Sequence, residues 1–109
     1  MSDRTLLELA AKAAGIKIRW QSYGNYFVIC DIDDEGIEAV WNPLADDGDA
    51  LRLAVKLGMQ MYIWQPNDGI GLHYTEINRR IKESHNNDPY AATRRAIVRA
   101  AAEIGRNMK

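Results

Sequence analysis

The segment "DPYAATRRAIVRAAAEIGR" at residues 88–106 constrains the fold more than any other part of the chain. Asp88 is a favoured N-cap residue, and Pro89 stands at the first helical position, where proline is tolerated best. Apolar residues then recur at helical spacing, which predicts a long helix with one face on a core. That predicted stripe consists of Tyr90, Ile97, Ala101, Ile104 and Met108. A chain of 109 residues fits one domain, so we expect residues 1–109 to fold as a unit around this helix.

The remaining chain predicts two shorter helices and four to five strands. One helix runs from Ser2 or Asp3 to Gly15, and another covers residues 50–57 with Leu51, Ala54, Val55 and Gly58 on one side. Alternating or β-branched runs predict strands at residues 16–20, 26–32, 37–41 and 59–64, and residues 82–88 read as a polar loop. Residues 70–81 are less regular, and Ile70, Leu72, Tyr74 and Ile77 could belong to a strand that bends or frays. Short turns between strands favour antiparallel pairs, so the fold class is α+β, with helices flanking a mostly antiparallel sheet.

The acidic segment Asp46-Asp47-Gly48-Asp49 raises the question of a metal or phosphate site. It directly precedes the predicted helix at 50–57, and Asp46 or Asp47 at the N-cap would accept hydrogen bonds from free backbone N–H groups. A phosphate site is disfavoured because the carboxylates would repel the ligand. We therefore interpret Asp46, Asp47 and, for the last helix, Asp88 as structural caps, with a magnesium site as the alternative at the first two.

Other patterns give weaker indications of chemistry. Residues 31–36 match the first half of a calcium loop, but Asn42 stands where that loop needs a bidentate Glu, so a hairpin turn is favoured. His73 and His85 are twelve residues apart and have no Cys, Asp or His at metal-ligand spacing. No nucleophile elbow and no phosphate-binding or dinucleotide-binding fingerprint is present in the sequence. We expect no catalytic residue, no cofactor and no metal.

Cys30 is the single cysteine of the sequence and lies within the apolar run "YFVICDI". One cysteine excludes an internal disulfide and fits a reducing cytosol, so a cytoplasmic location is expected. We predict that the thiol is buried in the sheet and reacts slowly. No membrane association is expected, because no stretch approaches the roughly 18 apolar residues of a span.

Charge is distributed unevenly although the net charge is −1. Residues 31–49 carry eight acidic side chains and no basic one, whereas residues 79–109 carry eight basic and three acidic ones. Arg95, Arg99 and Arg106 fall on one predicted helix face, with Arg79 and Arg80 earlier in the chain. This face could dock on a protein, follow a phosphate backbone, or be a solvated surface with ordinary ion pairs.

Two long segments, "WNPLADDGDALRLAVKLG" and "DPYAATRRAIVRAAAEIG", resemble the phage ABA sandwich domain family of small, uncharacterised phage and prophage proteins. Shared features are a Trp-x-Pro turn, an Asp-Asp-Gly-Asp-Ala-Leu helix start and an Ala-rich C-terminal helix with paired arginines. The resemblance extends from about Trp41 to Gly105, and residues 65–87 match least. It implies a three-layer α/β/α sandwich, in agreement with the three helices and four to five strands predicted from the residue pattern, and it implies no activity.

The sequence therefore favours a non-enzymatic phage or prophage accessory protein that binds a protein partner in the bacterial cytoplasm, as a monomer or weak homodimer. The second hypothesis is nucleic-acid contact through the arginines of the last helix, which an exposed basic stripe without nearby carboxylates would support. The third is a small-ligand binder or enzyme, which a deep pocket gathering His73, His85 and the aspartates would support.

Overall fold

The computed structural model describes residues 2–30, 39–65 and 73–108. The calcium-like segment 31–36 lies outside this part of the chain. The described residues form three helices and six strands, in the order α1 (Asp3–Ala14), β1 (Ile18–Gln21), β2 (Tyr26–Ile29), β3 (Ala39–Trp41), α2 (Asp47–Lys56), β4 (Met61–Trp64), β5 (Tyr74–Ile77), β6 (Ile81–Ser84) and α3 (Pro89–Arg106).

The helix ends follow from local sequence. Ser2 caps α1 by accepting a hydrogen bond from the Thr5 amide, and Gly15 ends the helix in a left-handed conformation with φ of 70°. Asp88 accepts from the Ala91 amide at the start of α3, where Pro89 is the first helical residue. The long final helix predicted from the sequence is therefore confirmed at its beginning.

The strands form two antiparallel sheets of three strands, ordered β1-β2-β3 and β4-β5-β6. The predicted α+β class is confirmed, but the described residues do not form the expected single sheet of four to five strands. Each sheet pairs only strands that are neighbours in sequence, and α2 stands between β3 and β4. The helix thus separates two meanders that the sequence pattern alone could not distinguish from one larger sheet.

A tight turn creates the β5–β6 hairpin, which the sequence analysis missed. Asn78 and Arg79 have φ of 53° and 60°, and the Arg80 amide donates to the Ile77 carbonyl at 3.1 Å. Two successive positive φ values in such a turn define type I′, which prefers Asn-Gly. Because arginine replaces glycine here, the signal was weak, and part of the predicted polar loop at 82–88 is strand β6.

The core differs from the predicted apolar stripes. The predicted stripe on α3 is only partly buried, because Ile97 and Ala101 are buried while Tyr90, Ile104 and Met108 are exposed. The buried face of α3 is instead rich in small residues, because α1 packs closely along it. At its far end a Cβ on Gly105 would lie only 2.0 Å from the Leu9 carbonyl oxygen.

The prediction for α2 was right only in part. Leu51 and Val55, placed on its apolar side, are 57% and 72% exposed. Ala54, predicted on the same side, is buried, together with Ala50 and Leu53, which the predicted stripe did not include. Helical spacing identified an apolar stripe correctly, but the neighbouring elements cover only one edge of it, and the other edge faces solvent.

The prediction that Cys30 is buried was also wrong. Its amide donates to the Lys17 carbonyl at 3.0 Å and extends the β1–β2 ladder, but its side chain is exposed. Strand side chains alternate between faces, and Phe27 and Ile29 occupy the face that packs on the core cluster. Cys30 therefore points to the opposite face, just beyond the end of β2.

Candidate functional site

An apolar groove of about 320 Å³ lies between α2, β4 and the first turns of α3. Its floor is formed by Met61 and Ile63, which alternate onto the same face of β4. Leu51 borders it on the α2 side, and Tyr90 on the α3 side. The remaining lining residues are Asp47, Ala50, Gln65, Pro89, Thr93, Arg94 and Ile97.

The groove exists because the helices do not cover β4. α3 packs on β5 and β6, and it also contacts α2. As a result, Ile63 is 56% exposed, and Leu51 and Tyr90 reach 57% and 71%. Large apolar side chains that are exposed together, and that line a concavity, typically mark an interaction site.

One end of the groove is closed by an ion pair. Arg94 Nη1 lies 2.7 Å from Asp47 Oδ1, and Arg94 Nε donates to the Leu44 carbonyl at 2.9 Å. These contacts connect the start of α2 to α3 and compensate both charges. Asp47 is the first residue of α2 rather than its cap, so its carboxylate serves the helix-to-helix contact.

The other aspartates of the acidic segment are engaged within the protein. Asp46 is the N-cap of α2 and accepts from the Asp49 amide at 2.8 Å. Asp49 is buried, accepts from the Asn42 amide at 3.0 Å and pairs with Arg52 at 2.6 Å. Within residues 2–30, 39–65 and 73–108, no three His, Cys, Asp or Glu side chains are arranged as metal ligands would be. The geometry of this segment is that of a helix start.

Strand β4 is an edge strand in the described sheet. Backbone hydrogen bonding between Asn78 N and Gln60 O, at 2.9 Å, extends the β4–β5 ladder. In antiparallel pairs such bonds alternate along the strand, so the N–H and C=O groups of Met61 and Ile63 point away from β5. The same two residues therefore present backbone groups at the sheet edge and side chains to the groove.

The arginines of α3 are matched by carboxylates. Arg95 lies 3.4 Å from Asp3 of α1, Arg99 pairs with Glu83 of β6, and Arg106 lies 4.0 Å from Glu103 on its own helix. Arg79 and Arg80 are exposed in the β5–β6 turn, and Arg80 lines a concavity with Glu103 near the end of α3. The five arginines are thus not combined into one unpaired basic surface in the described part of the protein.

A second concavity, of about 460 Å³, contains both histidines. His73 and His85 are cross-strand partners, because the His85 amide donates to the His73 carbonyl at 3.1 Å, and their ring centroids are 6.2 Å apart. Sequence distance concealed this cross-strand pairing, which follows from the turn at residues 78–80 that pairs Ile77 with Ile81. The other lining residues are Gln65, Ser84, Asn86, Asn87 and Pro89, so the aspartates at 46 and 49 are not part of it.

His85 is buried and belongs to a short hydrogen-bond network. Its Nε2 lies 2.9 Å from Thr75 Oγ1, which lies 2.9 Å from Thr93 Oγ1. Burial is the main cause that lowers the pKa of His85 from its ordinary 6.5, and the charge of His73 lowers it further. The Tyr74 carbonyl acts on the ring in the opposite direction. His85 is therefore held neutral at pH values where a free histidine would begin to ionise.

Comparison with known proteins gives no functional assignment. No protein-family model, curated protein sequence or solved structure matches the chain. Among the described helices, none combines the length and apolar composition that a membrane span requires.

Proposed function

We propose that this protein is a non-enzymatic binding module that holds an extended apolar segment of a protein partner in the groove between α2, β4 and α3. The observation that carries the proposal is the coincidence of two features at Met61 and Ile63. Their side chains form the groove floor, and their backbone groups lie at the edge of the described sheet. A peptide strand can use both, since main-chain hydrogen bonds give affinity and side-chain pockets give specificity.

A protein segment fits this surface better than a small molecule. The groove volume is at the lower end of the range of roughly 300–1,000 Å³ for small-molecule sites. An exposed apolar side chain continues beyond it at Val55, one helical turn from Leu51 on α2. A surface wider than the cavity favours a partner of macromolecular size.

A nucleic acid is the less favoured partner. The groove is apolar, and Arg94, the one cation among the described residues that line it, is already paired with Asp47. The stripe of Arg95, Arg99 and Arg106 has carboxylates beside each member. Phosphate binding depends on cations that can replace counterions, and paired arginines supply fewer of them.

The biological setting is proposed from the sequence resemblance alone. The two segments similar to the phage ABA sandwich domain family suggest a phage or prophage accessory protein acting in the bacterial cytoplasm. The three-layer α/β/α arrangement of that family is proposed on the same basis, and a monomeric or weakly dimeric state is a separate proposal. None of these assignments is required for the groove to bind a partner.

The proposal is tested by affinity capture from bacterial host lysate with matched surface variants. Leu51→Asp and Tyr90→Ala change the groove, whereas Tyr23→Asp changes a side chain that is 82% exposed in the β1–β2 turn. All three positions are exposed, so each change should alter stability by no more than about 0.5 kcal/mol. Each capture is done with and without nuclease.

We expect a protein captured by the wild type and by Tyr23→Asp, but not by the two groove variants, and we expect nuclease to have no effect. Capture that is equal for all variants would contradict the proposal. Capture that is abolished by nuclease would instead favour nucleic-acid contact through the arginines, and short DNA and RNA titrations in increasing salt would then measure it.

A further inference from the structure

The hydrogen-bond network at His85 has a defined direction. Thr93 Oγ1 donates its single hydrogen to the Pro89 carbonyl at 2.7 Å. It can therefore only accept in its contact with Thr75, so Thr75 donates to Thr93. Thr75 has then used its own hydrogen, and His85 Nε2 must donate to Thr75. The proton of neutral His85 is thus on Nε2, as assigned from the network.

This assignment leaves His85 Nδ1 as a bare acceptor. The side chain is only 3% exposed, and Nδ1 has no hydrogen-bond partner among the described residues. Protonation of His85 must occur at this nitrogen, because Nε2 already carries a hydrogen. The added charge would be buried beside the His73 ring, whose centroid lies 6.2 Å from that of His85.

The network connects the histidine pair to the groove. Thr93 both accepts from Thr75 and lines the groove, and Pro89 lines the groove and the histidine concavity alike. The network therefore fixes the first turn of α3 to strand β5. The segment between His85 and α3 contains Asn86 and Asn87, with φ of 48° and 71°. This left-handed conformation costs free energy and persists only where the surrounding structure holds it.

We propose that His85 is an acid-sensitive latch that holds the α3 wall of the groove in its binding position. The inference rests on the proposed function, since it concerns regulation of that groove. When His85 gains a proton, the buried charge drives the ring toward solvent and breaks the bond to Thr75. Thr75 then loses the donor that fixes the orientation of its hydroxyl, which weakens its bond to Thr93. The first turn of α3, with Tyr90 and Thr93, is held less firmly on β5, and the groove widens.

Charges on the surrounding elements do not offset this effect. His73 precedes β5 and repels the protonated ring. Two ionisable side chains on the neighbouring elements are already in ion pairs, Glu83 of β6 with Arg99 and Arg94 of α3 with Asp47. Asp88 caps α3. The remaining ones lie on the outer face of the sheet, at Tyr74, Glu76 and Lys82. No carboxylate is thus placed to stabilise a protonated His85 in the described part of the protein.

The test is an NMR titration of the full chain from about pH 8 to about pH 5, which needs no partner. Ring signals of His85 give its ionisation, and amide signals of Tyr90 and Thr93 report the α3 wall. We expect these amides to shift with a midpoint below 6.5, together with the His85 ring. In His73→Ala the midpoint should rise toward 6.5 but stay below it, because burial persists.

His85→Gln keeps a donor for Thr75 and removes the titration, so the amide shifts should disappear while the circular dichroism spectrum is retained. Amides at 90 and 93 that do not respond to pH in the wild type would overturn the latch, as would shifts that persist unchanged in His85→Gln. The His73→Ala result decides the question even if His85→Gln does not fold.

Partner capture at the two ends of this pH range separates the latch from the proposed function. Affinity should fall with acid by at most about tenfold per pH unit, since one proton is coupled. Equal capture at both ends would overturn the latch and leave the proposed function standing. Absence of groove-dependent capture at either pH would count against the proposed function, while the NMR titration still tests the latch.

Discussion

The close contact between α1 and α3 predicts a large effect from one added methyl group, in Gly105→Ala. A Cβ at this position would lie 2.0 Å from the Leu9 carbonyl oxygen and 2.8 Å from its carbon. Carbon–oxygen contacts in proteins are normally no shorter than about 3.3 Å, so the two helices would have to separate by more than about 1 Å. The obstacle is backbone, which cannot rotate away as a side chain would.

The magnitude follows from two opposing contributions. Alanine is the better helix former by about 1 kcal/mol, which favours the variant. Overpacking of a tight interface costs typically 1–3 kcal/mol, and even a gap of roughly 1 Å removes up to half of the dispersion energy of the separated atoms. The interface is lined by small side chains such as Ala10 and Ala101, which cannot extend to fill the gap. We expect net destabilisation of about 2 kcal/mol.

Gly48→Ala is the matched control, because it is the same substitution in a helix without a backbone obstacle. A Cβ there would meet only the side-chain ends of Arg52 and Asp46, at 3.2 Å. Urea unfolding of both variants should show a lower midpoint for Gly105→Ala, at unchanged slope, and an equal or higher midpoint for Gly48→Ala. The packing argument fails if Gly105→Ala is as stable as Gly48→Ala.

Three further predictions concern the caps, the hairpin and pH. Asp46→Ala should lower the free energy of unfolding by about 1 kcal/mol through loss of the α2 cap, and Ca²⁺ or Mg²⁺ should not change the wild-type melting temperature; a metal-dependent rise would revive the metal site. Arg79→Gly should increase the free energy of unfolding by roughly 0.5–1 kcal/mol and so raise the urea midpoint, because glycine adopts the positive φ without strain. A lower midpoint would contradict the assigned turn. Burial lowers the pKa of His85 in the folded state, so the free energy of unfolding should be highest above pH 6.5 and decrease as the pH falls below it. The decrease should be measurably smaller in His85→Gln, and equal pH profiles of the two proteins would exclude His85 as its cause.

Features that depend on local sequence were predictable. Gly15 ends α1 and Asp88 begins α3, because capping and proline position act within a few residues. Features that depend on neighbours were not. The exposure of Leu51 and Tyr90 follows from where α3 lies over β5 and β6, and helical spacing contains no information about that placement.

The candidate site was missed for the same reason. Its residues come from α2, β4 and α3, and no short motif includes them. The acidic segment was singled out as the structural start of α2, and only Asp47 reaches the groove, through its ion pair with Arg94. His73 and His85 were named together as members of a possible pocket but not as cross-strand neighbours, because the turn that pairs them has Arg79 where the preferred pattern has glycine.

Photo-crosslinking tests most directly whether the groove between α2, β4 and α3 contacts a protein partner. A photoreactive phenylalanine analogue is placed at Leu51, at Ile63 or, as a control, at Tyr23, and each protein is irradiated in host lysate. All three side chains are more than half exposed, and the control position is the most exposed, so low accessibility cannot explain a missing product there. We expect one discrete crosslinked protein at positions 51 and 63 and none at 23. A product at position 23 alone, or the same products at all three positions, would contradict it.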